Sequence, residues 1–151
     1  LYRNFQGYST HADCDLIGLG VTSVGKVGPT YSQNQKELEP YYADIDAGRL
    51  PVFRGVALDG DDILRRAVIT DLICHFRLRF KDVEAKHDID FAAYFADALE
   101  ELQDMARDGL IELDAEGIRV TPAGRLLIRN ICMAFDKYLR EANNQRFSKV
   151  I

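Results

Sequence analysis

Gly109-Leu110-Ile111-Glu112-Leu113-Asp114-Ala115-Glu116-Gly117-Ile118-Arg119-Val120-Thr121-Pro122 decides the fold, because two short alternating runs meet there across a turn-forming tetrapeptide. Leu110 to Leu113 and Ile118 to Val120 alternate apolar with polar residues, which predicts a β-hairpin, with Gly117 supplying the positive φ of a tight turn. Before it, Phe91, Tyr94, Phe95, Ala98, Leu99, Leu102 and Met105 recur at helical spacing, and Gly109 stands where a C-cap belongs. After it, Thr121 is an N-cap and Pro122 a first helical residue for a helix over 122–141, carried by Leu127, Ile131, Ala134, Phe135 and Tyr138. Helix, hairpin and helix in this order predict a winged-helix-like unit in a mainly α, α+β fold.

Working outward, a long helix is expected over 59–77, with Asp59 or Asp61 as cap and Ile63, Leu64, Ala67, Val68, Leu72, Ile73 and Phe76 as its apolar positions. Ile69 falls off the main stripe, so the apolar surface is wider than a one-sided helix needs and implies packing on more than one side. Between this helix and Phe91, the segment with Val83 and His87 reads as a polar connector. Residues 50–58, with Pro51, suit an extended connector or an edge strand. From Gln35, Leu38, Tyr41, Tyr42 and Ile45 predict a first helix that Gly48 stops. Residues 1–34 are glycine-rich strand ends and loops, so the texture changes near residue 35 and divides the chain into 1–34 and 35–151.

With 47% apolar content over 151 residues, the chain is long enough for one sizeable core. A formal charge of -5 works against broad phosphate attraction, and residues 81–108 are rich in acids where a DNA-reading helix would need bases, so no nucleic-acid partner is expected. No stretch has the length of a membrane span and the start lacks the order of a signal peptide, so the expected location is cytoplasmic. The chain begins at Leu1, already within an alternating run, which leads us to expect a longer chain upstream.

Cys14, Cys74 and Cys132 stand about sixty residues apart and spell neither a disulfide framework nor a metal knuckle. Cys74 and Cys132 are expected as buried packing residues, and Cys74-His75 cannot pair well as helix neighbours. His11, Asp13, Cys14 and Asp15 offer mixed ligands without a second pair, so no metal is assigned and Asp15 is expected to brace a turn. Gly18-Leu19-Gly20-Val21-Thr22-Ser23 comes close to a dinucleotide fingerprint, but Gly25, Gly28 and Pro29 leave no helix to receive a pyrophosphate. Among the arginines, Arg54, Arg65, Arg125 and Arg129 are the candidates for holding carboxylates, with ordinary surface ion pairs as the competing role.

Arg3-Asn4-Phe5-Gln6-Gly7-Tyr8, Asp15-Leu16-Ile17-Gly18-Leu19-Gly20, Gln33-Asn34-Gln35-Lys36, Arg54-Gly55 and Arg125-Leu126-Leu127-Ile128-Arg129-Asn130-Ile131-Cys132-Met133 together resemble the oxygen-independent coproporphyrinogen III oxidases, in order from Tyr2 to Ile151. The resemblance implies a radical-SAM enzyme of haem biosynthesis: reductive cleavage of S-adenosylmethionine gives a 5′-deoxyadenosyl radical, which takes hydrogen from a propionate of coproporphyrinogen III. Loss of carbon dioxide and an electron then leaves a vinyl group. Two propionates react, giving protoporphyrinogen IX. It further implies that residues 1–34 end the radical-SAM barrel, that 35–151 form a helical C-terminal domain over the barrel mouth, and that Phe5, Gln6 and Val24 line the S-adenosylmethionine site. Isoleucine is usual at the position of Val24. The family's C-x3-C-x2-C motif for a [4Fe-4S] cluster is not in this sequence, so the segment alone is expected to bind no cofactor and to be inactive. Its expected partners are the missing N-terminal barrel, coproporphyrinogen III in the intact enzyme, and a second copy in a homodimer. The alternative from another class is a winged-helix regulatory or protein-interaction module without catalysis.

Overall fold

In the computed structural model, residues 1–4, 7–11 and 14–139 are described, and they divide into two compact units, Tyr2–Ile63 and Leu64 onward. The fold is α+β with small antiparallel sheets. Among the described residues no helix is long and apolar enough to cross a membrane.

The first unit opens with a two-stranded hairpin of β1 (Tyr2–Asn4) and β2 (Gly7–Ser9). A second antiparallel sheet joins β3 (Val24–Val27), β4 (Thr30–Asn34) and β5 (Val52–Ala57) in that order. Helix α1 (Leu38–Asp46) lies between β4 and β5 in sequence and ends as predicted at Gly48, which takes φ +69° while Arg49 N–H reaches back to the Asp44 carbonyl at 2.9 Å. Because β5 pairs with β4, residues 52–57 belong with the glycine-rich strands, and the two compact units part at Ile63. Of the described residues in this unit, only Gly25, Asn34, Pro51 and Asp62 are buried; not one is a Val, Leu, Ile, Met, Phe or Tyr.

Helix α2 (Gly60–His75) follows a reciprocal cap: Asp59 Oδ1 accepts from Asp62 N–H at 2.8 Å, and Asp62 Oδ2 accepts from Asp59 N–H at 3.1 Å. It is shorter than the expected 59–77 because Phe76 adopts φ +57°, a left-handed conformation that closes the helix before Arg77 enters a strand. Leu64, Val68 and Leu72, at successive fourfold steps, are buried in the core of the second unit.

The expected polar connector is in fact β6 (Arg77–Arg79) and helix α3 (Phe80–His87), whose Phe80 and Val83 point inward. The expected helix over 91–107 is interrupted, forming α4 (Phe91–Tyr94), capped by Asp90 through Ala93 N–H, and α5 (Ala96–Arg107). Strands β7 (Ile111–Leu113) and β8 (Gly117–Val120) form the predicted hairpin, with β8 between β6 and β7. Gly117 does not have the positive φ expected of it; its lack of a side chain is required because a Cβ would overlap the Leu78 carbonyl on β6. Asp114 makes the turn instead, accepting from Glu116 and Gly117 N–H at 2.8 and 3.0 Å. Thr121 caps the last helical region through Gly124 N–H at 3.1 Å, but the continuous helix expected over 122–141 is a 3-10 turn at Gly124–Leu127 and a short α6 (Ile128–Met133), and residues beyond 139 lie outside those described. A Cβ on Gly124 would overlap the Leu110 carbonyl, so this end of the segment is pressed against the hairpin. Phe80 stacks on Phe91 at 4.2 Å, and Phe95 meets Phe135 edge-on at 5.3 Å, all four rings buried.

Candidate functional site

Antiparallel register sets the first unit's site by placing Val24, Gln33 and Arg54 in one cross-strand row of β3, β4 and β5. The next row on that face is Lys26, Tyr31 and Val56. Val24, Gln33, Arg54, Tyr31 and Val56 line a shallow open groove of about 470 Å³. Arg54 is exposed, and its Nε donates to Gln33 Oε1 at 2.9 Å, while Gln33 Nε2 donates to the Thr22 carbonyl at 3.4 Å. The intervening row, Gly25, Ser32 and Gly55, is kept small by its neighbours: a Cβ on Gly25 would lie 3.1 Å from the Leu16 carbonyl, and one on Gly55 3.0 Å from that of Tyr31.

The loop ahead of β3 is fastened from behind. The buried Asn34 side chain donates to the carbonyls of Gly18 and Gly20 at 3.1 and 2.9 Å, and Tyr41 Oη accepts from Gly20 N–H at 3.1 Å. Strand β3 follows, not a helix, so the near-fingerprint at 18–23 offers no helix N-terminus to a pyrophosphate. Asp15 braces this region as expected, its Oδ1 accepting from Gly28 N–H at 2.8 Å.

Of the predicted site residues, Val24 and Arg54 share the groove, whereas Phe5 and Gln6 lie outside the described residues. In the second unit the arginines part ways. Arg65 is half-buried, with Nη1 on the Phe135 carbonyl at 3.1 Å and its guanidinium 5.3 Å from the Phe95 ring centre, the surroundings of a packing residue. Arg125 is exposed but lies over the Phe76 ring at 4.7 Å, and Arg129 is exposed on α6. Gln33, which brings Arg54 and Val24 into one row, carried no chemical signal of its own in sequence; period-two counting along Tyr31-Ser32-Gln33 would have put it on the face of Tyr31.

Cys74 and Cys132 are buried as expected, and Cys14 is exposed. Asp59, Asp61 and Asp62 bring possible ligand atoms within 4.8 Å of one another, but two of these carboxylates are engaged in capping α2.

Comparison with known proteins agrees with these motifs. The HemN C-terminal domain family matches residues 58–127. Oxygen-independent coproporphyrinogen III oxidases of Pseudomonas aeruginosa and Escherichia coli K12 are each 53% identical over 100% of this chain. Over its whole length the chain is similar to part of these oxidases. It spans about a third of the length of these oxidases, 33% in each case. A solved structure of Escherichia coli coproporphyrinogen III oxidase, described as a radical SAM enzyme, superposes with a TM-score of 0.87 at 52% identity, over 91% of this chain and 32% of the oxidase.

Proposed function

We propose that the chain is the C-terminal third of an oxygen-independent coproporphyrinogen III oxidase, converting two propionates of coproporphyrinogen III to vinyl groups in the cytoplasm. The observation that carries this reading is the first unit's missing core. Among its described residues no large apolar side chain is fully buried, and with Leu19 84% and Leu50 83% exposed the unit gains little from burial of its own. The occupant that fits is the upstream two-thirds of the oxidase, with residues 1–34 as the end of its barrel.

A [4Fe-4S] cluster does not fit this chain: Cys74 and Cys132 are buried as packing residues, and the three cysteines lack the close spacing a cluster needs. Cluster and radical initiation therefore belong upstream. The contribution of this chain is positional. Val24 presents an apolar contact to S-adenosylmethionine, and arginines hold propionates that are not reacting; Arg54 is favoured because it shares a groove with Val24.

A regulatory or interaction module is the second reading, favoured by the strand order β6-β8-β7 around three helices, which winged-helix modules also use. The exposed side of α5 carries Asp97, Glu100, Glu101 and Asp104, which disfavours a nucleic-acid partner. Assay of the 151-residue chain alone and joined to its upstream two-thirds separates the readings. The joined enzyme should make protoporphyrinogen IX, and the chain alone should take up no iron and sulfide on anaerobic reconstitution. A joined enzyme without decarboxylase activity would remove the first reading.

A further inference from the structure

Arg54 is prepared for an anion in a way that the other arginines are not. Its Nε is occupied by Gln33 Oε1, which fixes the plane of the guanidinium, and among the described residues its two terminal nitrogens have no partner. Gln33 is itself tethered through Nε2 to the Thr22 carbonyl, so the pair forms a short relay anchored to the backbone. The groove around them is lined by Val24, Tyr31, Ser32, Gly55 and Val56 and, among the described residues, by no acidic side chain. Lys26 stands in the neighbouring row of the same face, its Nζ turned to the Tyr2 ring centre at 4.8 Å. A neutral acceptor on Nε is the informative detail. A carboxylate there would quench the guanidinium, whereas an amide orients it and leaves its full charge for a ligand.

We propose that this groove is a carboxylate subsite, in which the terminal nitrogens of Arg54 grip one carboxylate with two parallel hydrogen bonds and Gln33 is the positioning residue that aims them. The inference rests on the function proposed above for the identity of the carboxylate, a propionate of the tetrapyrrole. Apolar Val24 and Val56 flank the methylenes of such a side chain.

The test uses the full-length oxidase carrying this segment, with coproporphyrin III as the probe and its tetramethyl ester, which has no free carboxylate, as the control. Arg54→Ala should weaken coproporphyrin III binding about ten- to a hundredfold and leave ester binding unchanged. Arg54→Lys should not restore affinity, because an ammonium cannot make the paired contact. Gln33→Glu gives the sharpest readout. If the pair is only a strut, a carboxylate at position 33 strengthens the link to Arg54, raises thermal stability and leaves affinity alone. As part of a subsite, it competes with the ligand and lowers coproporphyrin III affinity at least as much as Arg54→Ala, while the fold holds. Equal affinity for coproporphyrin III in the parent enzyme, Arg54→Ala and Gln33→Glu would overturn the subsite, even with full decarboxylase activity. Conversely, an enzyme without decarboxylase activity that still binds coproporphyrin III through Arg54 would overturn the proposed function and keep the subsite.

Discussion

Arg65 donates from Nη1 to the main-chain carbonyl of Phe135 at 3.1 Å, across 70 positions of sequence. With its guanidinium 5.3 Å from the Phe95 ring centre, it ties α2 to both the middle and the end of the second unit. Truncating it leaves that carbonyl short of a donor and removes a cation from an aromatic face. Arg65→Ala should cost about 2 to 3 kcal/mol, read as a lower urea midpoint with an unchanged slope. A midpoint equal to the parent's would show that the link is not used.

Asn34 is buried and supplies both donors that hold the loop at Gly18 and Gly20. Asn34→Ala should destabilise the first unit by about 1 to 3 kcal/mol and speed hydrogen exchange at Gly20 N–H. Asn34→Asp should be worse, because a carboxylate would face two carbonyl oxygens without a proton to share. An aspartate variant as stable as the parent would refute this geometry.

Close backbone approach at two glycines makes them sensitive for a reason other than φ. Gly117→Ala and Gly124→Ala press a methyl group into the carbonyls of Leu78 and Leu110, and each should cost about 3 kcal/mol or more. Gly60, in the first turn of α2 with open space around it, is the control: Gly60→Ala should be neutral or stabilising by up to about 1 kcal/mol. Thermal unfolding of the three variants side by side decides the matter.

At the end of α1, Asp44 accepts from Gln35 Nε2 at 3.0 Å and pairs with Arg49 Nη2 at 2.8 Å. The Gln35 hydrogen bond first, and the Arg49 contacts after it, hold its carboxyl below the ordinary value of 3.8. A carboxyl lowered by folding stabilises above its unfolded value, and that contribution is lost as pH falls through the folded one. Stability from this clasp should therefore be complete above pH 3.8 and fade below it, and Asp44→Asn should remove that acid limb. Carbon-13 titration of the Asp44 carboxyl checks the direction, and a midpoint at or above 3.8 would contradict it.

Elements with a long apolar period, such as α2 and the stretch from Phe91, were legible in sequence, as were ends marked by Gly48, Gly109 and Thr121. What escaped was short or set by distant parts of the chain. Arg77-Leu78-Arg79 offers one apolar residue, too few to show alternation, and α3 buries only Phe80 and Val83. The break at Phe95 leaves every apolar position at helical spacing, so periodicity cannot report it. Gly117 was read as a turn residue because its true constraint, the neighbouring Leu78 carbonyl, is 39 positions away in a strand that had not been foreseen. In the candidate site, the residue types of Val24 and Arg54 were visible, but their meeting depends on the pairing of β4 with both neighbours and on a register shift at Gln33/Asn34.

The uneven placement of buried side chains has a calorimetric consequence. Heat capacity of unfolding tracks the apolar area that water newly reaches, and among its described residues the first unit covers its large apolar side chains only in part. By itself, the chain should melt with a heat-capacity step and cooperative enthalpy that come mainly from its second unit. To a calorimeter it will look like a protein of little more than half its length.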